Sequence, residues 1–139
     1  CENRNFLKTP RIARDNHIEL WYVGGNNISN IDYIPDHKLT LPLYYSCDWD
    51  YDGLKIYERL QDRFARKSKS ITLLYPSPIL RKSVDSPEHN SRWKHDQPFS
   101  GLIRSAYSQE AISLIQDLIA QDEWVEEETC ELIEMVKLT

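Results

Sequence analysis

The chain of 139 residues is 40% hydrophobic, 11% aromatic and 28% charged, a size and composition that can close one core and would leave two separate cores marginal. No uninterrupted apolar run reaches membrane-spanning length, and the composition excludes a collagen-like fibre and a wholly disordered chain. The net charge of -5 is uneven, with nine acids against Lys137 alone in residues 110–139 and sixteen Lys or Arg against thirteen acids in residues 1–109, so nucleic acid is not excluded as a partner although no broad basic footprint exists.

In chain order, residues 5–14 have a short helix-like pattern. Residues 18–23 (IELWYV) are rich in β-branched and aromatic types and stop at Gly24-Gly25, which predicts a buried strand ending in a tight turn. Residues 41–47 (LPLYYSC) predict a second strand, with Pro42 near its start or at a sheet edge. From 54 to 67, Leu54, Tyr57, Leu60 and Phe64 recur every three or four positions while Lys55, Glu58, Arg59, Asp62, Arg63 and Arg66 take the other sides, the pattern of an amphipathic helix. Residues 71–75 (ITLLY) predict a third strand ended by Pro76 and Pro78, and strand, helix, strand at this spacing is a parallel crossover. The core is therefore expected to be α/β.

Residues 76–101 contain four of the seven prolines and no sustained period, and read as a long irregular loop. Beyond it, Ala111, Ile112, Ile115, Leu118 and Ile119 mark one helix, and Val125, Thr129, Leu132 and Val136 mark another, with Asp122 between them as a cap. Residues 1–139 are expected to form a single domain. Because the first residue is Cys1 and the sole methionine is Met135, that domain is expected to be a C-terminal fragment of a longer protein. Cys1, Cys47 and Cys130 form no CxxC pair, which argues against a zinc ribbon or a disulfide framework and fits a reducing, cytoplasmic compartment.

The chemistry concentrates in Tyr45-Ser46-Cys47-Asp48-Trp49-Asp50-Tyr51-Asp52-Gly53, where an apolar strand delivers three carboxylates to the start of a helix. Acids this close repel, and the usual relief is a divalent cation or a set of backbone N–H donors. Alternation along an extended chain points Asp48 and Asp50 to one site and turns Trp49 away, while Gly53 frees the backbone and lets a helix N-terminus approach. Asp52 is read as the helix N-cap. An EF-hand is ruled out, because Arg59 stands where the twelfth-position glutamate is required. Haloacid-dehalogenase and glycosyltransferase DxD motifs match poorly.

Asp48-x-Asp50-x-x-Gly53 at the end of a strand, preceded by Glu2-Asn3 with Phe6 and by the strand ending at Gly24-Gly25, resembles a Toprim domain. It is most similar to the C-terminal Toprim domain of Wadjet plasmid-defence nuclease subunits, related to the topoisomerase VI catalytic subunit. The acidic stretch from Asp122 to Glu128 is similar to an acidic helix late in the Wadjet domains. Two departures stand: only Cys1 precedes Glu2, and Cys47 replaces the Gly usual before the first Asp.

The resemblance implies a Toprim-like Rossmann-type sandwich, with a mainly parallel central sheet and helices on both faces. It implies metal-dependent cleavage of a DNA phosphodiester, with Glu2, Asp48 and Asp50 as the catalytic and metal-binding acids, Mg or Mn as cofactor, and plasmid or phage defence as the setting. RNA is a second candidate substrate. Upstream domains of the same protein and other defence-complex subunits are the implied partners, with no membrane. Lys55, Arg81 and Lys82 are the candidate phosphate contacts, the last two on the loop after the third strand. Arg59, Arg63, Arg66, Lys67 and Lys69 read as a solvated helix face. His17, His37, His89 and His95 share no metal spacing and receive no ligand role. The alternatives are a non-catalytic Toprim module for nucleic-acid binding or assembly and, third, a receiver-type phosphotransfer domain.

Overall fold

In the computed structural model, which describes residues 1–4, 6–8, 10–23 and 28–139, a 3-10 turn at Phe6–Lys8 precedes helix α1 (Pro10–Asp15). Two further 3-10 turns, Ile28–Tyr33 and Asp36–Thr40, lead to strand β1 (Tyr44–Tyr45). Helix α2 (Tyr51–Ala65) follows, then β2 (Thr72–Leu73), β3 (Arg81–Ser83), helix α3 (Gln109–Gln121), β4 (Glu123–Val125) and helix α4 (Leu132–Leu138).

Strands β1 and β2 pair in parallel, Tyr44 opposite Thr72 and Tyr45 opposite Leu73, so α2 is the crossover of a β-α-β unit. Hydrogen bonds extend this pairing outward: Glu2 N–H donates to the Ser46 carbonyl at 2.9 Å, Cys1 N to Trp21 O at 2.9 Å, and Val23 N–H to Cys1 O at 3.3 Å. A donor nitrogen bonded to residue 21 and a carbonyl bonded by residue 23 on one residue is the pattern of parallel pairing. Trp21 and Val23 thus pair with Cys1 in place of the full strand expected over residues 18–23, and Gly24-Gly25 lie outside the described residues. The chain is a mixture of α-helices and small sheets organised about one parallel strand pair.

The second sheet is antiparallel, with Arg81 opposite Val125, Lys82 opposite Trp124 and Ser83 opposite Glu123. It departs from expectation twice. Residues 76–101 contain a strand, so Arg81 and Lys82 do not lie on a loop, and residues 123–125 form β4 where the start of a helix was expected. The cause is Asp122, which ends α3 in the left-handed conformation (φ 52°, ψ 46°) with its N–H turned back to the carbonyls of Leu118 and Ile119. The redirected chain buries Trp124 and Val125, and Val125 also bridges Trp49 in antiparallel register.

Helix α2 buries Leu54, Ile56, Tyr57, Leu60 and Phe64, as its period requires. It also buries Glu58, placed by the sequence on the solvated side. That carboxylate is pinned by Lys55, by Ile103 N–H at 2.6 Å and by the Tyr107 hydroxyl at 3.0 Å, a set of partners that meets the requirement for burying a charge. Among the described residues, no helix is long and apolar enough to cross a membrane.

Candidate metal centre

The start of α2 is fixed by Asp50. Its backbone is extended (φ -129°, ψ -178°) and its Oδ1 accepts the Gly53 N–H at 2.8 Å, the geometry of an N-cap. Asp52, expected to be that cap, lies within the helix, exposed, with its N–H donated to Ser91 Oγ at 3.0 Å. The helix begins three residues before the first apolar residue of its stripe, which is why periodicity placed its start too late.

Gly53 is the hinge of the site through its missing side chain. Its φ is not positive, so no special conformation is demanded. A Cβ there would stand 2.2 Å from the Asp48 carbonyl oxygen and 2.8 Å from Glu2 Oε2. Glu2 therefore reaches into the space that the glycine leaves open. Standard bond lengths put the nearest Glu2 and Asp50 oxygens within about 8 Å of each other across it.

Asp48 lies between the chain start and the segment after β4. Its Oδ1 accepts Glu127 N–H at 2.7 Å and its Oδ2 accepts Asn3 Nδ2 at 3.4 Å. Trp49 turns away into the core, edge-on to Tyr75 at 5.4 Å between ring centroids, so the alternation expected across Asp48-Trp49-Asp50 is present. Asp50 has both oxygens engaged, the second by His89 Nε2 at 2.9 Å. A cation would reach Asp50 only through the remaining lone pairs or by displacing a donor.

Electrostatics follow from burial and mutual repulsion. Burial first, then Asp48, Asp50 and Glu127, pushes the Glu2 carboxyl up to about 8. Burial raises Asp48 to about 6 against the opposing Glu127 N–H bond. Asp50 is raised by burial, opposed by its bonds from Gly53 and His89. Glu127 is raised to about 7 by burial, opposed by the Cys1 ammonium and the nearby Ser46 hydroxyl. Glu2 Oε2 and Glu127 Oε1 are buried and accept no hydrogen bond of good geometry. Two orphaned carboxylate oxygens in one acidic cluster suit a hard divalent cation, although among the described residues no three His, Cys, Asp or Glu side chains yet surround a common point as ligands would. The Cys47 thiol beside them is held well above its usual range by burial and is not a nucleophile at neutral pH.

The candidate phosphate contacts are all paired. Lys55 meets Glu58, Arg81 lies 3.5 Å from Glu123 and 3.7 Å from Asp117, and Lys82 meets Glu126 while also facing the Trp124 ring. On the outer face of α2, Arg63 pairs with Asp32 and Arg66 with Asp62, in keeping with a solvated, ion-paired surface.

Two residues of the cluster escaped sequence reasoning. Glu127 stands 79 positions from Asp48, in an acidic run with no period, which folds as β4 and a 3-10 turn where a helix was expected. His89 stands 39 positions from Asp50. It stacks on Trp124 at 4.0 Å between ring centroids, and its Nδ1 lies 3.2 Å from the Val84 carbonyl. Ser91 and His89 together tie residues 84–93 over the start of α2. Compared with known proteins, the chain finds no matching family model, no matching curated protein and no matching solved structure.

Proposed function

We propose that this chain is a Toprim-like domain that binds a divalent cation and takes part in metal-dependent cleavage of a DNA phosphodiester. The observation that carries this reading is the orphaned Glu2 Oε2, buried against Gly53 at the start of α2 beside Asp48 and Asp50. The β-α-β unit is the part of a Rossmann-type sandwich that this placement needs, since it sets a strand end and a helix N-terminus at one point. Glu2 and Asp48 would hold Mg²⁺ or Mn²⁺, and such an ion supplies charge stabilisation to a phosphoryl transition state. Glu2 would otherwise serve to give or take a proton at the leaving or attacking oxygen, the alternative to its role as a ligand. Asp50 fixes the helix end through Gly53, and His89 fixes Asp50.

A second reading is a non-catalytic module for nucleic-acid binding or assembly. It is favoured by the lack, among the described residues, of three ligands already gathered about one point. Isothermal titration with Mn²⁺ separates binding from its absence: Asp48→Asn is expected to remove most of the heat. Nicking of supercoiled plasmid by the protein in Mn²⁺, lost in Glu2→Gln, separates the enzyme from the assembly module. Equal Mn²⁺ binding by wild type and Asp48→Asn refutes the metal reading. Cleavage that survives Glu2→Gln refutes the role given to Glu2.

A further inference from the structure

The trio Glu2, Asp48 and Asp50 omits the most deeply buried acid of the cluster. Glu127 is 0% exposed, on the single turn Glu127–Thr129 that follows β4. Its N–H holds Asp48 Oδ1, and its Oε2 accepts the Asn3 N–H at 2.7 Å. Its Oε1 accepts no hydrogen bond of good geometry, and neither does Glu2 Oε2, although the Ser46 hydroxyl lies near the Glu127 carboxyl. Among the described residues no Lys or Arg forms an ion pair with Glu2, Asp48 or Glu127, and the Cys1 ammonium near Glu127 is bonded to the Trp21 carbonyl.

Accepting the Asn3 amide needs one neutral oxygen, which a glutamine would supply without burying a charge. A second, unpartnered carboxylate oxygen in a fully buried position is costly unless a cation meets it. We propose that Glu127 is a further ligand of the divalent-cation site, its Oε1 and Glu2 Oε2 being the oxygens that Mg²⁺ or Mn²⁺ takes up beside Asp48. This rests on the cation-binding reading above and adds to it a ligand from the other end of the chain. Cation binding then clasps β4 and the following turn to the chain start and to β1.

The test uses the full chain, titrated with Mn²⁺ and followed by calorimetry and by thermal melting. Glu127→Gln is expected to melt, metal-free, at or above the wild-type temperature, because a buried acid is removed while an acceptor for Asn3 remains. It is expected to bind Mn²⁺ more weakly by on the order of 10- to 100-fold and to lose the Mn²⁺-induced rise in melting temperature. Wild-type Mn²⁺ affinity in folded Glu127→Gln overturns the assignment of Glu127 alone, provided Asp48→Asn abolishes binding. Absence of Mn²⁺ binding in the wild type, or its persistence in Asp48→Asn, overturns the underlying reading as well. Should Glu127→Gln not fold, the Glu127 carboxyl ¹³C resonance of the wild type decides under Mg²⁺ titration: a shift that saturates with binding supports ligation, and an unmoved resonance overturns it.

Discussion

Gly53→Ala sets two effects of opposite sign against each other. Within the first turn of a helix, Ala is favoured over Gly by about 1 kcal/mol from backbone entropy, so on helix propensity alone the substitution stabilises. At this position the added methyl would lie 2.2 Å from the Asp48 carbonyl oxygen and 2.8 Å from Glu2 Oε2. The Glu2 carboxylate ends a flexible side chain and can swing away. The Asp48 carbonyl is backbone, in the turn between β1 and α2, and must retreat by roughly 1 Å to reach an ordinary contact. Overpacking of this kind costs about 1–3 kcal/mol, so the net expectation is a loss of about 0–2 kcal/mol, together with displacement of both Glu2 and Asp48. Urea denaturation in EDTA measures the first effect and Mn²⁺ calorimetry the second. A variant stabilised by about 1 kcal/mol with unchanged Mn²⁺ affinity would show that propensity outweighs the close approach and that the site does not depend on it.

Three further outcomes are expected. Glu2, Asp48 and Glu127 are raised to about 8, 6 and 7, so the metal-free folded state keeps protons that the unfolded chain has already released; the contribution of these three acids is then full below their unfolded values, from about 3.8 for Asp48, and is lost as pH rises toward 8. Denaturation midpoints in EDTA between pH 5 and pH 8 check the sign, a rising midpoint contradicts it, and saturating Mn²⁺ is expected to flatten the slope. Glu58→Ala strands the Ile103 N–H, deprives Lys55 of its partner and leaves the Tyr107 hydroxyl only the Leu54 carbonyl at 3.3 Å, and is expected to cost about 2–4 kcal/mol in urea unfolding; a loss below about 0.5 kcal/mol would return Glu58 to the solvated face. His89→Ala leaves Asp50 Oδ2 without its donor and opens space beside Trp124, with an expected loss of about 2 kcal/mol and increased protease cutting within residues 84–93; unchanged stability and cutting would deny His89 its hold on the site.

The features that the sequence determined by itself are the local ones. The apolar stripe of α2, the strand signals on either side of it and the alternation across Asp48-Trp49-Asp50 each depend on residues a few positions apart, so the β-α-β unit and the acidic turn at its start could be read directly. Local signals also set the limits of that reading. The three-residue strands Arg81–Ser83 and Glu123–Val125 are too short to establish an alternation, and α2 begins ahead of its own apolar stripe because Asp50 caps it. Glu58 looked solvent-facing because its buried hydrogen-bond donors, the Ile103 N–H and the Tyr107 hydroxyl, are 45 and 49 residues away. Tertiary structure alone decided the membership of the carboxylate cluster. The left-handed turn at Asp122 sends β4 back against Trp49, and this return carries Glu127 to Asp48 and Trp124 to His89. No periodicity encodes that meeting, because it depends on where a chain reversal aims the next segment and on which buried charges find donors there.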